Sequence, residues 1–223
     1  MFSNSSLIAH TNISPNKTIN RTSPIDTITI HSVAGNMTIE SLGAWFSKPT
    51  TQASSNYGIG TDGRIGMYVE EKDRSWCSSS STNDHRAVTI EVANSVAVEP
   101  WPISDGALKS LVNLCADICQ RNNIPKLIWR NDKYDPGNLT VHRWFAATSC
   151  PNTYIFERLE YIAAEVNKLL TVDGVAEWAR EAWNWGSTPD KNGNKLFDGT
   201  RPTDLITRQE VITLFYRFKK SMV

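Results

Sequence analysis

The sequence lacks any long hydrophobic run, and no segment approaches the roughly 20 consecutive apolar residues that span a bilayer, so we expect no membrane helix. It also lacks an excess of one charge, because 23 Lys and Arg residues balance 23 Asp and Glu residues. Nucleic-acid-binding proteins usually carry a basic excess, so this balance argues against nucleic acid as the partner. The first 20 residues have no basic start followed by an apolar stretch, so we expect no secretory signal peptide.

Cysteine and histidine are scarce, with four residues of each. Cys77, Cys115, Cys119 and Cys150 form no C-x-x-C pair and no dense framework, which favours reduced thiols over a disulfide scaffold. Cys115 and Cys119 fall within a helically spaced apolar pattern that includes Leu111, so we predict that both belong to the core.

What is present suffices for a folded core: 223 residues, of which 40% are apolar and eight are Trp. Residues 1–24 are predicted to form an irregular arm. Strands alternate with helices over residues 25–170, which predicts an α/β domain (residues 1–170) with a mixed central sheet flanked by helices. The predicted strands are 25–31, 87–92 and 126–129, with a hairpin over 56–69 that turns at Asp62-Gly63, and the predicted helices are 38–46, 104–122 and 154–170.

The composition changes near residues 171–174, where a second domain, 171–223, is predicted to begin. Two helically patterned segments flank a polar loop over residues 186–204, and Thr207 with Glu210 forms a capping box. A helical unit of this size barely buries a core of its own, so we expect it to dock on another surface or on a second copy of the chain.

Three residues have the chemistry of a zinc site. His31 ends a predicted strand, and His142 and Cys150 lie on one later loop, separated by seven residues. Imidazole and thiolate are preferred zinc ligands, and a site with three protein ligands leaves the fourth position for water. Spacing alone leaves zinc as one interpretation among several, since such pairs also arise by chance.

Four blocks occur in order between about residues 24 and 170: TITIH, SSNYGIGTDGRI, AVTIEVAN and HRWFAATSCP. They resemble the amidase-2 family of N-acetylmuramoyl-L-alanine amidases. The resemblance implies a Zn²⁺ ion bound by His31, His142 and Cys150, and hydrolysis of the amide between N-acetylmuramic acid and L-alanine in bacterial peptidoglycan. Non-catalytic recognition proteins of this family typically lack the third ligand, so the presence of Cys150 favours an active enzyme.

Three further positions match family residues near the metal. The resemblance implies that Tyr57 contacts the water on the metal or the reacting carbonyl, that Thr148 stabilises the oxyanion, and that Glu91 is a general base or orients water. Each also has a structural interpretation: Tyr57 as a hairpin aromatic, Thr148 as the cap of the following turn, and Glu91 as the partner of Arg86 or Arg130.

Aromatic side chains near the motifs are candidates for contacts with the sugar. Trp76 and Trp144 are predicted to stack on sugar rings, with a core position as the alternative for each. His85 is a candidate substrate contact or spare ligand, and the alternative is a structural or surface residue.

The C-terminal run FDGTRPTDLITRQEVITLFYR resembles the second half of an S-layer homology motif. The resemblance implies that Arg208, with Trp178 or Trp183, binds an anionic secondary wall polymer. Only one copy is present and Arg201 replaces the usual aromatic residue, so a dimer interface or a structural lid remains the alternative.

These observations together lead to one hypothesis and two rivals. The hypothesis is a bacteriolytic amidase, a phage endolysin or prophage enzyme of a Gram-positive host, which stays in the cytoplasm of the infected cell until a holin releases it to the wall. The rivals are a bacterial autolysin and a module that binds peptidoglycan without cutting it.

Overall fold

The computed structural model describes residues 2–171, 185–186, 188–189, 193, 195 and 208–221. The chain divides into two compact units, Met1–Leu170 and Thr171–Val223. None of the helices in the described ranges combines the length and hydropathy of a membrane-spanning segment.

A mixed six-stranded sheet forms the centre of the first unit, with the strand order β1-β5-β4-β7-β3-β8. The hairpin pair β4 and β5 is antiparallel, and the other neighbours are parallel. A separate two-stranded sheet pairs β2 with β6. The strands are β1 His10–Thr11, β2 Lys17–Thr18, β3 Thr27–Val33, β4 Tyr57–Ile59, β5 Ile65–Met67, β6 Arg74–Ser75, β7 Ala87–Ala93 and β8 Leu139–Val141.

The helices begin where the sequence provides caps. The Thr38 and Ser104 side chains each accept a bond from a backbone N–H in the first turn of the helix that follows, as predicted. The single helix predicted over 154–170 is divided into two. The helices are α1 Ile39–Phe46, α2 Ser81–Arg86, α3 Asp105–Arg121, α4 Thr153–Phe156, α5 Leu159–Thr171 and α6 Arg208–Ser221.

Alternation along the strands gives the sheet one apolar and one polar face. Ile30 and Ile90 are register partners and belong to the main core, which also contains the buried faces of α3 and α5, including Cys115 and Cys119 as predicted. The next residues along the two strands, His31 and Glu91, are also partners and therefore point to the opposite face. The sheet flanked by helices confirms the predicted fold class.

Buried hydroxyl and amide groups cover part of the polar face. Asn83 of α2 donates to Thr29 Oγ1 at 2.9 Å, and the Thr29 and Thr140 hydroxyls lie 2.8 Å apart. On the neighbouring strand Thr89 bonds to Ser75 and to Asn56. These hydroxyl and amide groups form hydrogen bonds with one another. The polar face of the sheet can therefore be buried without leaving unpaired donors, which would cost free energy.

The N-terminal segment is not the irregular arm that the sequence predicted. β1 pairs with β5, and residues 17–18 pair with β6. Arg21 is 7% exposed, and its guanidinium donates to the backbone carbonyls of five residues. These acceptors are Glu71, Asp73, Asp84, His85 and Ala87. The segment is held by backbone pairing and by one buried cation.

The strand predicted over 126–129 is also wrong. Only Trp129 forms a bridge, to Gly137. The backbone N–H groups of Leu127 and Ile128 donate to the side-chain oxygens of Asn167 and Asn138, at 2.8 and 2.6 Å. Side-chain amides therefore take the place that a neighbouring strand would fill, and β8 forms the edge of the sheet instead.

In the second unit the structure describes helix α6. Its position agrees with that of the helix predicted after the capping box. Trp185 contacts Phe218 edge to face, with ring centroids 5.7 Å apart. The other predicted helix, around residues 175–183, lies outside the described residues.

Candidate metal centre and active site

Three predicted zinc ligands meet at the polar face of the sheet. His31 is wholly buried on β3, His142 follows directly after β8, and Cys150 lies on the loop beyond it. Their ligand atoms all lie within 4.8 Å of one another. Cys150 Sγ is 3.6 Å from His31 Nδ1, and the two imidazole centroids are 5.0 Å apart. The fold thus brings together residues more than 100 positions apart in the chain.

The geometry of these residues fits zinc. Bonds of about 2.1 Å to nitrogen and 2.3 Å to sulfur place tetrahedral ligand atoms roughly 3.6 Å apart, which matches the observed separation of sulfur and nitrogen. His142 Nε2 lies 3.3 Å from Ser79 Oγ, so a bond there would orient the ring with Nδ1 as the nitrogen that binds a metal ion. His31 Nε2 is buried without a hydrogen-bond partner among the described residues.

Burial sets the protonation of the three ligands. It lowers the pKa of His31 to about 3, aided by His142, and lowers the pKa of His142 as well. Both imidazoles are therefore neutral at pH 7, which is the form that binds metal. Burial, with the nearby Glu91 carboxylate, raises the pKa of Cys150 to about 12. A cation at the site would offset this effect by stabilising the thiolate.

Glu91 projects from β7 next to His31, with Oε1 4.0 Å from His31 Nδ1. Burial raises the pKa of Glu91 from its usual 4.5 to about 7, and a weak bond from the Cys77 thiol at 3.9 Å opposes this shift. A carboxyl group with a pKa near neutrality can both accept and release a proton under ordinary conditions. Glu91 thus has the position and the acidity that a general base requires.

The structural interpretation of Glu91 needed an arginine partner. Arg86 instead binds Asp26, and Arg130 binds Asp135. Neither arginine neutralises Glu91, whose Oε2 is buried without a hydrogen-bond partner among the described residues. In the part of the chain that the structure describes, the carboxylate therefore faces the candidate metal centre and pairs with neither arginine.

Glu91→Gln is expected to change how the stability of the zinc-free chain depends on pH. Because the folded-state pKa of Glu91, about 7, lies above the usual 4.5, the wild type loses stability as the pH rises between those values. At about 1.4 kcal/mol per unit, the variant should be more stable by about 3 kcal/mol near pH 8 and by much less near pH 4. Urea unfolding at both pH values measures this difference.

The exposed carboxylate Glu157 provides the control, since Glu157→Gln makes the same chemical change at a side chain that folding leaves in solvent. A stability difference between Glu91→Gln and wild type that is the same at both pH values would show that Glu91 ionises normally in the folded chain.

The predicted place of Tyr57 at the metal is wrong. Tyr57 is the register partner of Ile90 in a parallel pair, so its side chain lies on the apolar face, opposite His31. The phenol is fully buried, donates to Glu71 Oε1 at 2.7 Å and accepts from the backbone N–H of Ser5 at 2.9 Å. Tyr57 therefore links the core to the N-terminal segment.

Tyr57→Phe is expected to lower the free energy of unfolding by about 1–3 kcal/mol, because a buried carboxylate and a buried N–H each lose a partner. Turnover should stay close to that of wild type. Chemical denaturation and an assay on purified sacculi measure the two effects. A fall in turnover of about 10²-fold in a folded variant would restore the catalytic assignment.

Thr148 is exposed, and its hydroxyl accepts a bond from the backbone N–H of Cys150 at 3.2 Å. This is the local turn that the capping interpretation expects. The role that the family resemblance implies for Thr148, stabilisation of the oxyanion, stays a prediction.

The two predicted sugar-stacking tryptophans make contacts within the chain. Trp144 stacks face to face on Trp129, with centroids 4.9 Å apart, and packs against the core. Trp76 is half-buried, and its indole N–H donates to Thr18 Oγ1 at 3.0 Å. Both contacts fit the core interpretation, and contact with a sugar stays a prediction for each.

His85 is the next-to-last residue of α2, before the start of β7, whereas Glu91 lies near the other end of that strand. Four residues of extended chain, about 13 Å, separate the beginning of the strand from Glu91. The His85 ring accepts a bond from the backbone N–H of Thr22 at 3.1 Å. The structure thus gives His85 a structural contact and does not bring it to the metal centre.

The sequence analysis missed Cys77. Its sulfur belongs to a second trio with His31 and Glu91, whose ligand atoms also lie within 4.8 Å of one another. No spacing pattern relates Cys77 to the other motifs, and only its position directly after Trp76 placed it near a candidate residue.

The predicted wall-binding residues of the second unit cannot be placed. Trp178 and Trp183 lie outside the described residues, as does the side chain of Arg208 at the start of α6.

The solved structures that this chain resembles include an endolysin amidase, PlyL and a peptidoglycan recognition protein. The endolysin amidase LysCS from Clostridium intestinale URNW is 20% identical, with a TM-score of 0.53, covering 74% of this chain and 98% of that one. PlyL is 14% identical with a TM-score of 0.54, covering 71% and 96%. Drosophila peptidoglycan recognition protein SA is 16% identical with a TM-score of 0.50, covering 65% and 83%.

At these identities the structural matches establish a shared fold. No curated protein sequence matches the chain significantly. The family model described as N-acetylmuramoyl-L-alanine amidase, Amidase_2, matches residues 21–153, which is more than half of the chain and includes His31, Glu91, His142 and Cys150. The chain therefore belongs to the Amidase_2 family of N-acetylmuramoyl-L-alanine amidases.

Proposed function

We propose that this protein is a zinc-dependent hydrolase that cuts the amide bond between N-acetylmuramic acid and L-alanine in peptidoglycan, with His31, His142 and Cys150 holding the ion. Membership of the family supports the reaction. The observation that carries the proposal of zinc is the convergence of two imidazoles and one thiol within 4.8 Å. The 3.6 Å between sulfur and nitrogen suits a tetrahedral site.

The bound ion would polarise the amide carbonyl and lower the pKa of a water molecule toward about 7. Two neutral imidazoles and one thiolate leave a net charge near +1, because the ligands cancel only part of the dication charge. Such a site keeps the electrophilic character that amide hydrolysis needs.

Glu91 is the residue that we assign to proton transfer. Sequence analysis left Glu91 and Tyr57 as alternatives, and the burial of Tyr57 on the opposite face leaves Glu91. Its carboxylate takes a proton from the attacking water and gives it to the amide nitrogen as the carbon–nitrogen bond breaks. The products are a free lactyl carboxylate and a new amino group on L-alanine.

We further propose that the enzyme is an endolysin or prophage amidase that reaches the wall from the cytoplasm of an infected Gram-positive cell. The fold that this chain shares with the endolysin LysCS supports this assignment. Binding of a secondary wall polymer by the second unit remains the prediction of its sequence motif, and dimer formation is its alternative.

The chemistry of the products tests the reaction. Purified sacculi treated with the protein should gain new N-terminal L-alanine and no new reducing sugar ends, as measured by dinitrophenylation and a reducing-end assay. New reducing ends would indicate cleavage of the glycan, and sacculi bound but chemically unchanged would identify a non-catalytic binding module.

A further inference from the structure

A second set of ligand-type side chains lies beside the first. Cys77 Sγ is 3.9 Å from Glu91 Oε1, which is 4.0 Å from His31 Nδ1. Thiolate, carboxylate and imidazole form a donor set suited to zinc and to related thiophilic divalent cations. The first separation is a few tenths of an ångström longer than tetrahedral ligands require and the second is about half an ångström longer. The Cys77 sulfur and the His31 ring lie within 4.8 Å of each other, so small rotations of the Cys77 and Glu91 side chains would close the set around an ion.

The loop that carries Cys77 is fixed in place. The backbone N–H groups of Cys77 and Ser78 both donate to the Asp84 carboxylate, at 3.1 Å for the shortest bond of each. Asp84 is 1% exposed on α2, so the thiol extends from a buried anchor. Such support is what holds a ligand in register with its partners.

One carboxylate oxygen of the trio lacks a protein partner. Glu91 Oε2 is buried and forms no hydrogen bond within the described residues. A buried oxygen without a partner is costly, so it favours a ligand at this carboxylate, independently of the position of Cys77. His31 Nε2 is also unpartnered among the described residues, but it lies across the ring from Nδ1 and does not face the trio.

The geometry points to a second metal position formed by His31, Cys77 and Glu91, which shares His31 with the first position and holds a thiophilic divalent cation such as Zn²⁺ or Co²⁺. A neutral imidazole offers one lone pair, and two dications a few ångströms apart repel strongly. The two positions are therefore alternatives for a single ion. When the Cys77 thiol binds, its proton leaves to solvent.

This position has a consequence that rests on the proposed function. An ion bound there uses Glu91 as a ligand and so withdraws it from proton transfer. The chain would then have a competent state, with the ion on His142 and Cys150, and a blocked state, with the ion on Cys77 and Glu91.

Cobalt binding tests the second position without an activity assay. The full chain is titrated with Co²⁺ and the near-ultraviolet thiolate-to-cobalt absorption band is followed. Four proteins are compared: wild type, Cys77→Ser, Cys150→Ser and the double variant, each checked for folding by circular dichroism. Cys150→Ala replaces the serine variant if that one does not fold. The double variant retains Cys115 and Cys119 and so controls for the core thiols.

We expect wild type and both single variants to bind one equivalent of Co²⁺ with the thiolate band. The double variant should lose the band and bind Co²⁺ at least about tenfold more weakly. A folded Cys150→Ser chain without the band would overturn the second position, as would a band that persists in the double variant. If Cys77→Ser keeps both the band and turnover while Cys150→Ser loses both, the second position is wrong and the proposed function stands.

Discussion

Cys150→Ser is expected to lower amidase turnover at least about 10³-fold, equivalent to about 4 kcal/mol of transition-state stabilisation. A neutral serine hydroxyl is a poor substitute for thiolate, so the ion loses its anionic ligand at the competent position. Any ion retained through Cys77 occupies Glu91 as well, so residual metal does not rescue the reaction. Release of N-terminal L-alanine from sacculi at saturating zinc measures the effect.

The control for loss of a thiol is Cys119→Ala, which removes a buried sulfur from α3, on the apolar side of the sheet. It should retain turnover and lose only packing energy. Sedimentation with intact sacculi should show that Cys150→Ser still binds the wall. Turnover that is unchanged in Cys150→Ser would remove this residue from the metal centre.

Arg21→Met is expected to lower the free energy of unfolding by about 3–5 kcal/mol, which is large beside the total stability of an ordinary domain. The substitution keeps much of the side-chain volume but leaves five carbonyl groups, four of them in buried bonds, without their shared donor. Each unsatisfied buried acceptor costs about 1–3 kcal/mol before the structure relaxes. Burial lowers the pKa of Arg21 to about 10, so the group remains charged at neutral pH. Urea unfolding followed by tryptophan fluorescence measures the loss.

Arg86 provides the matched control, because its ion pair with Asp26 lies at the surface, with side chains about half exposed. Arg86→Met should change stability by less than about 1 kcal/mol. Equal effects of the two substitutions would mean that the buried guanidinium does not anchor the N-terminal segment.

Local sequence patterns predicted the turns, helix caps and strands whose structure depends on residues close together in the chain. The Asp62-Gly63 turn, the caps at Thr38 and Ser104 and the alternating strands all appear in the structure. Gly63 adopts a φ of +82°, the conformation that favours glycine at this turn. The ordered sequence blocks also placed His31, His142 and Cys150 on elements that converge.

Elements defined by distant contacts could not be predicted in this way. The N-terminal segment is polar and shows no helical or strand periodicity in its sequence. It is held in place by hydrogen bonds from Arg21 to carbonyl groups at least 50 residues away in the chain. Residues 126–129 look like a strand, but Asn138 and Asn167 satisfy the backbone there. Neither partner can be identified from the local pattern.

The face on which a residue lies requires knowledge of the register. Tyr57 belongs to the expected hairpin, yet pairing with Ile90 and not with Glu91 directs its side chain to the core. A shift of one residue would have reversed this outcome. Cys77 reaches the site through the loop anchored by Asp84, and no motif in the sequence marks that approach.

The central claim is that hydrolysis depends on an ion held by His31, His142 and Cys150. Its most direct test is the release of N-terminal L-alanine from purified sacculi by the native protein, by protein stripped of metal with a chelator, and by stripped protein given back Zn²⁺. We expect release to fall to background on stripping and to recover as zinc approaches one equivalent per chain. Release that continues undiminished in the fully stripped protein would contradict the zinc-dependent mechanism.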